Sequence, residues 1–113
     1  MGYKKVKNMN GVFSHTKITN AKGVKDWNTK NVENLEYAFS HTKLKDFKDI
    51  SKWDVSKCSN FEETFSYSEN LKDASDIDKW DISNGTNFGK TFYHTEIRPN
   101  WGGTFDEYGT FQK

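Results

Sequence analysis

The apolar positions of this chain recur with a period far longer than that of a helix or a strand. Phe13, Phe39, Phe65 and Phe92 follow one another in steps of 26, 26 and 27, and Asn8, Asn34, Asn60 and Asn87 keep the same steps. Trp27, Trp53 and Trp80 follow in steps of 26 and 27. Within each copy the Asn precedes the Phe by five residues, in NMNGVF, NLEYAF, NFEETF and NFGKTF. Three columns in one register define an internal repeat, which organises the chain ahead of any local prediction. The one extra residue of the third copy falls near Glu69-Asn70.

The apolar set of the second copy is Phe39, Leu44, Phe47, Ile50, Trp53, Val55, Cys58 and Phe61. Its equivalents in the third are Phe65, Leu71, Ala74, Ile77, Trp80, Ile82, Gly85 and Phe88. The step of three then four from Cys58 through Phe61 to Phe65 predicts one face of a short helix. Ser56 or Ser59 would cap it, with Glu62 and Glu63 near its N-terminal end. Gly85 and Gly89 weaken the equivalent helix in the fourth copy. The Leu44-Phe47-Ile50 part predicts extended backbone with bends, contributing a short parallel strand around Lys48 to Trp53.

A chain so patterned is expected to be a repeat solenoid of short parallel strands and short helical turns, one coil per repeat period, with Phe39, Phe65, Trp53 and Trp80 inside. The expected organisation is a single domain, 1–113, opening with a partial repeat at 1–12. Full repeats follow at 13–38, 39–64 and 65–91, and 92–113 is a partial repeat with a C-terminal cap. Met1 takes a tryptophan place, and Tyr3 and Val6 take apolar places in the opening half-repeat. After Ile97, residues Pro99, Gly102 and Gly103 interrupt the pattern. Phe105, Tyr108 and Phe111 then supply aromatic mass to cover the last copy.

The Asn column is the most informative polar feature. Asn8, Asn34, Asn60 and Asn87 sit between apolar neighbours, and a buried amide left unpaired costs about 1–3 kcal/mol. Each is expected to bond the backbone of its own turn and of the next copy.

Residues 47–65, FKDISKWDVSKCSNFEETF, resemble the BspA-like surface-protein repeat family, a variant class of leucine-rich repeats. The resemblance is clearest at Asp49-Ile50-Ser51, Trp53-Asp54-Val55-Ser56, Asn60-Phe61 and Phe65, and Asn8-Met9 keeps the family's Asn-Met pair. It covers about residues 3–101 and departs at Cys58 and Gly85, where the family usually has Val. The resemblance implies a right-handed, leucine-rich-repeat-like solenoid. It further implies a non-catalytic adhesion or protein-interaction module at a bacterial surface. The alternative is a small standalone intracellular protein that inhibits or scaffolds another. The compartment follows the same division: cell surface or extracellular by resemblance, cytoplasmic otherwise, since no charged-then-apolar signal segment precedes the first repeat.

Composition adjusts this picture in three places. Formal net charge is +1, so no global field draws the chain to nucleic acid. Hydrophobic residues make up only 33%, but aromatics reach 16%, enough to build a thin core from large rings. No apolar run approaches the roughly 18 residues of a membrane span. The one cysteine, Cys58, falls in the column of Val32 and reads as a small buried hydrophobe.

Candidate chemistry is sparse. His15, His41 and His94 recur two residues after the repeat Phe, with Tyr67 breaking the row, so a three- or four-ligand metal set is not expected. Asp46, Asp49, Asp73 and Asp76 alternate with Lys45, Lys48 and Lys72, which favours mutual neutralisation over a calcium site. No nucleophile-base or phosphate-cradling motif stands out, so neither catalysis nor a cofactor is expected. A protein partner would be sought on the charged stripe formed by Lys45, Lys48, Asp49, Lys72, Asp73 and Asp76.

Overall fold

The computed structural model describes residues 5–113. The expectations for Met1 and Tyr3 lie outside them. Val6 is half-buried, and its N–H reaches the Asn28 carbonyl at 3.4 Å.

The backbone hydrogen bonds show why the chain is neither helical nor stranded over most of its length. In the first copy the N–H groups of Met9, Gly11, Phe13 and His15 donate to the carbonyls of Asn34, Glu36, Ala38 and Ser40, at 2.8–2.9 Å. Leu35, Tyr37, Phe39 and His41 donate in the same way to Asn60, Glu62, Thr64 and Ser66, and Phe61, Glu63, Phe65 and Tyr67 to Asn87, Gly89, Thr91 and Tyr93. The intervening N–H groups bond locally. Val12 donates to Met9, Ser14 to Gly11 and Thr16 to Phe13, each closing a tight turn. Half of the donors in each segment thus join neighbouring copies, and half fold the segment on itself.

Tight turning at this density needs the left-handed backbone region. It is occupied at Gly11, Tyr37, Glu63 and Lys90, with φ between 50° and 65°. The residues four places on, His15, His41, Tyr67 and His94, occupy it too, with φ between 58° and 62°. Side chains other than glycine adopt it at a cost. Seven such residues, in register with Gly11, are sustained by the cross-copy bonds that fix their neighbours.

This overturns the expected fold class. Among the described residues there is no α-helix, and the two helical segments, Lys22–Val24 and Ser75–Ile77, are single 3₁₀ turns. Among the described residues parallel pairing is limited to isolated bridges at Lys5–Asn28, Asn8–Asn34, Asn34–Asn60 and Asn60–Asn87. The one sheet among the described residues is an antiparallel hairpin of two short strands, β1 (Thr104–Phe105) and β2 (Phe111–Gln112). The molecule is a compact body of 40 × 29 × 21 Å with a radius of gyration of 12.6 Å, close to the roughly 13 Å of any compact domain this long. It is not a leucine-rich-repeat-like solenoid of parallel strands.

Two local expectations fail for the same reason. Around Lys48 to Trp53 the chain makes successive turns, with Ile50 N–H on the Phe47 carbonyl and Trp53 N–H on Ile50, both 3.1 Å. From Cys58 to Phe65 the apolar spacing of three and four belongs to a turn-bridge-turn path rather than a helix.

The core is a set of ring columns. Phe13, Phe39, Phe65 and Phe92 stack with centroids 5.4, 5.5 and 5.6 Å apart. Phe39, Phe65 and Phe92 are fully buried, and Phe13 is half-buried. Trp53 and Trp80 are buried beside this column, and each indole N–H donates to a carbonyl about one copy back, Val24 and Ile50, at 3.1 Å. Trp101 makes the equivalent bond to Ile77 at 2.8 Å, although it follows Phe92 by only nine residues. It closes the body together with the hairpin: Trp101 and Phe105 pack on Phe92, and Phe111 meets Phe88 edge-on. Gly109 lies against the Phe92 backbone where no Cβ fits.

Candidate functional site

The predicted stripe is built on turns, and two of its three acidic members, Asp49 and Asp73, accept backbone N–H groups, as does the neighbouring Asp46. Asp46 accepts the Lys48 N–H at 3.1 Å, and Asp73 accepts the Ser75 N–H at 2.8 Å. Such turns are a local habit of Asp and Asn. Hydrogen bonds from Ser75 hold the Asp73 carboxyl below the ordinary carboxylate range. Asp49 accepts the Ala21 N–H at 3.2 Å, tying its copy to the one before. Asp76 is exposed in the 3₁₀ turn Ser75–Ile77.

Two of the three stripe lysines, Lys45 and Lys48, have no acidic partner among the described residues. Among the described residues, side-chain ion pairs are limited to Lys72–Glu96 at 4.0 Å and His94–Glu69 at 3.7 Å, all largely exposed. Lys45 and Lys48 are exposed and in neither pair. The mutual neutralisation expected from the alternation of Asp and Lys therefore does not form.

The structure divides the stripe. Lys48 and Asp49 line a depression of about 310 Å³ with Lys25, Asp26, Ser51 and Lys52, and Lys22 lies at its margin. Lys72 borders a separate depression of about 380 Å³ with Glu69, His94, Thr95 and Glu96. Lys45, Asp73 and Asp76 line neither of these. Lys22, Lys25 and Lys52 escaped the sequence reading, although their signal was the repeat register itself. The columns Lys22-Lys48-Ser75 and Lys25-Ser51-Asp78 run from basic to polar or acidic along the body.

The Asn column differs from its expected burial. Asn8 and Asn87 are exposed, and Asn34 and Asn60 are half-buried. Each side-chain oxygen accepts the N–H two residues on, from Asn10, Glu36, Glu62 and Gly89, at 2.8–2.9 Å. The links between copies at these positions are the backbone bridges, joined at Asn87 by a side-chain bond from Nδ2 to Glu62 Oε1 at 3.1 Å.

His15, His41, Tyr67 and His94 form a surface stack with centroids 4.2, 4.4 and 4.6 Å apart and rings within 13° of parallel. Imidazole lone pairs lie in the ring plane, so face-to-face rings do not converge on one ion. Among the described residues no cluster of three metal-ligating side chains forms. Burial, and then the neighbouring His15, hold the His41 pKa below its ordinary value, against the pull of Glu63 and Glu69. Cys58 is buried, its Sγ 3.4 Å from the Asn60 carbonyl, and burial pushes its thiol up to about 12.

The family model described as Mycoplasma protein of unknown function, DUF285, matches residues 2–100. The chain belongs to this family. The DUF285 match takes in all four Asn-to-Phe segments and ends before the Thr104–Gln112 hairpin. No curated protein and no solved structure matches the chain. No helix among the described residues is long and apolar enough to cross a membrane.

Proposed function

We propose that this DUF285 domain is a non-catalytic protein-interaction module of the adhesion type, displayed on a bacterial surface. The observation that carries the reading is the division of labour on the charged face. Asp46, Asp49 and Asp73 are engaged by backbone N–H groups, while Lys45 and Lys48 project without an acidic partner. Cations held on a hydrogen-bonded frame and not neutralised by their neighbours suit recognition of an acidic protein surface, where charge sets encounter rate and partner choice. The resemblance of FKDISKWDVSKCSNFEETF to BspA-like surface repeats supports the same class and a cell-surface location.

The test is a double charge reversal, Lys45→Glu with Lys48→Glu. Exposed charges of this kind contribute only about 0–1 kcal/mol per pair to folding, so melting stays near the parent. Capture of surface-protein partners weakens, and more so at low salt. Equal capture by parent and variant at low and moderate salt refutes a role for this face. Antibody labelling of intact cells tests the location.

A further inference from the structure

Two neighbouring copies bring four lysines to one depression. Lys22 and Lys25 come from the first copy and Lys48 and Lys52 from the second, with Asp26 and Asp49 in the same lining. All four lysines are exposed, and none stands in an ion pair among the described residues. Residues 1–4 carry no side-chain carboxylate that would supply one. Four lysines against two aspartates leave the depression with a net charge of +2. The Asp49 carboxylate is already engaged by the Ala21 N–H at 3.2 Å, and the Trp53 indole bonds the Val24 carbonyl at 3.1 Å. These two bonds pin the second copy to the first, so the lysines rise from a fixed frame. The Ser51 hydroxyl donates to the Lys48 carbonyl at 3.0 Å, which leaves the ammonium groups as the side-chain donors. One copy on, the pattern ends: Ser75, Asp76 and Asp78 take the places of Lys48, Asp49 and Ser51.

We propose that this depression is a binding site for a phosphate monoester, free or carried on a larger molecule. Charge selects the group. A monoester carries close to two negative charges near neutral pH and three acceptor oxygens. That matches the net charge of the lining, whereas a carboxylate or a phosphate diester brings one charge only. Lysine suits this ligand, because its ammonium is a compact point charge with three donors that needs no planar, two-pronged partner. Size agrees as well. About 310 Å³ lies at the small end of ligand sites, which run from roughly 300 to 1,000 Å³, and holds a phosphoryl group with the small unit that bears it. Four like charges gathered without acidic partners repel one another in the free protein, and a bound dianion removes that repulsion. The site shares Lys48 with the charged face described above, but Lys45 and Lys72 lie outside its lining, so it does not depend on a protein partner.

The experiment uses the full chain, isotopically labelled, at fixed ionic strength and pH 7.5, followed by NMR. It is titrated separately with N-acetyl-phosphoserine amide and with glycerol phosphate. Saturable shifts centred on Lys22, Lys25, Lys48 and Lys52 at millimolar ligand are expected. Tighter binding of the phosphoserine probe assigns the group to a protein, and tighter binding of glycerol phosphate assigns it to a polyol or sugar ester. Dimethyl phosphate, a diester with one charge, should bind roughly tenfold more weakly or worse than either monoester. Lowering the pH to 5, through the second phosphate pKa of about 6, should weaken the monoesters by a roughly similar factor. Lys25→Gln with Lys48→Gln should also lose about tenfold or more, while its melting temperature without ligand stays at or above that of the parent. Lys45→Glu should bind the monoesters as the parent does, so this site and the protein-capture reading of Lys45 and Lys48 stand or fall separately. The proposal is overturned by absence of saturation, by equal binding of diester and monoester, by unchanged binding in the Lys25→Gln, Lys48→Gln chain, or by shifts spread over lysines outside the depression.

Discussion

Replacing Phe65 by alanine measures how much the central ring column holds the molecule together. Phe65 is 0% exposed, so its whole side chain counts as removed from water. It stacks between Phe39 at 5.5 Å and Phe92 at 5.6 Å, meets Phe47 edge-on at 4.9 Å and tilts against Trp80 at 6.2 Å. Loss of transfer free energy for such a side chain is about 2–3 kcal/mol. Its partners are themselves anchored, Trp80 by the bond to Ile50 and the Phe39 and Phe65 segments by cross-copy N–H bonds, so the cavity closes poorly. A residual void of roughly 80 Å³ at about 24 cal/mol per Å³ adds about 2 kcal/mol. The total is about 4 kcal/mol, a large share of a small domain's stability. With an unfolding entropy of about 2.1 cal/mol/K per residue over 113 residues, the melting temperature falls by roughly 15–20 °C. Urea unfolding followed by near-UV circular dichroism reads the loss as a lower midpoint at constant slope. Phe13→Ala is the internal comparison, because Phe13 is half-buried and stacks on one ring only. It should cost less than half as much. Melting of Phe65→Ala within a degree or two of the parent, or equal losses at Phe13 and Phe65, would refute the column as the source of stability.

Four further outcomes follow from particular residues. Gly11→Ala should cost about 1 kcal/mol through left-handed backbone alone, since φ is 65° and nothing lies within 4 Å of a Cβ there; thermal melting reads it. Gly85→Val places a branched side chain against the Phe88 ring that stacks on Phe61, so it should destabilise by about 1–3 kcal/mol in urea. Cys58, buried with its thiol pushed up to about 12, should resist a thiol reagent at pH 8 in the native protein and react on unfolding; equal rates would place it at the surface. His41 has a folded pKa below its unfolded value of about 6.5, so the unfolded chain takes up the proton first. Its contribution is present above about pH 6.5 and is lost as pH falls through that value towards the lower folded one. His41→Asn, which tolerates left-handed backbone, should flatten the melting curve between pH 7 and 5, and an unchanged slope would remove His41 from the account.

The sequence by itself determined the register. Three columns of Asn, Phe and Trp named which residues share a layer, and the ring stack from Phe13 to Phe92 and the indole bonds of Trp53 and Trp80 follow it. It also singled out Lys45, Lys48 and Lys72, because a charge column is visible once the register is known. It did not determine the backbone path. A step of three and four residues is shared by a helix and by a chain of tight turns, and alternation of donors between local and cross-copy partners leaves no mark on hydropathy. Only the tertiary structure decided that Tyr37, Glu63 and Lys90 take the left-handed conformation that Gly11 takes freely, because bonds to the neighbouring copy hold them there. The fate of the aspartates was decided at the same level. Asp and Lys alternating along a chain look self-neutralising, but Asp46 and Asp73 lie closer to their own turn N–H groups than to any lysine, and Asp49 reaches the backbone of another copy. The basic depression between Lys25 and Lys52 arises from how the copies face one another, a relation that spans a whole repeat period of sequence but only one hydrogen bond in space.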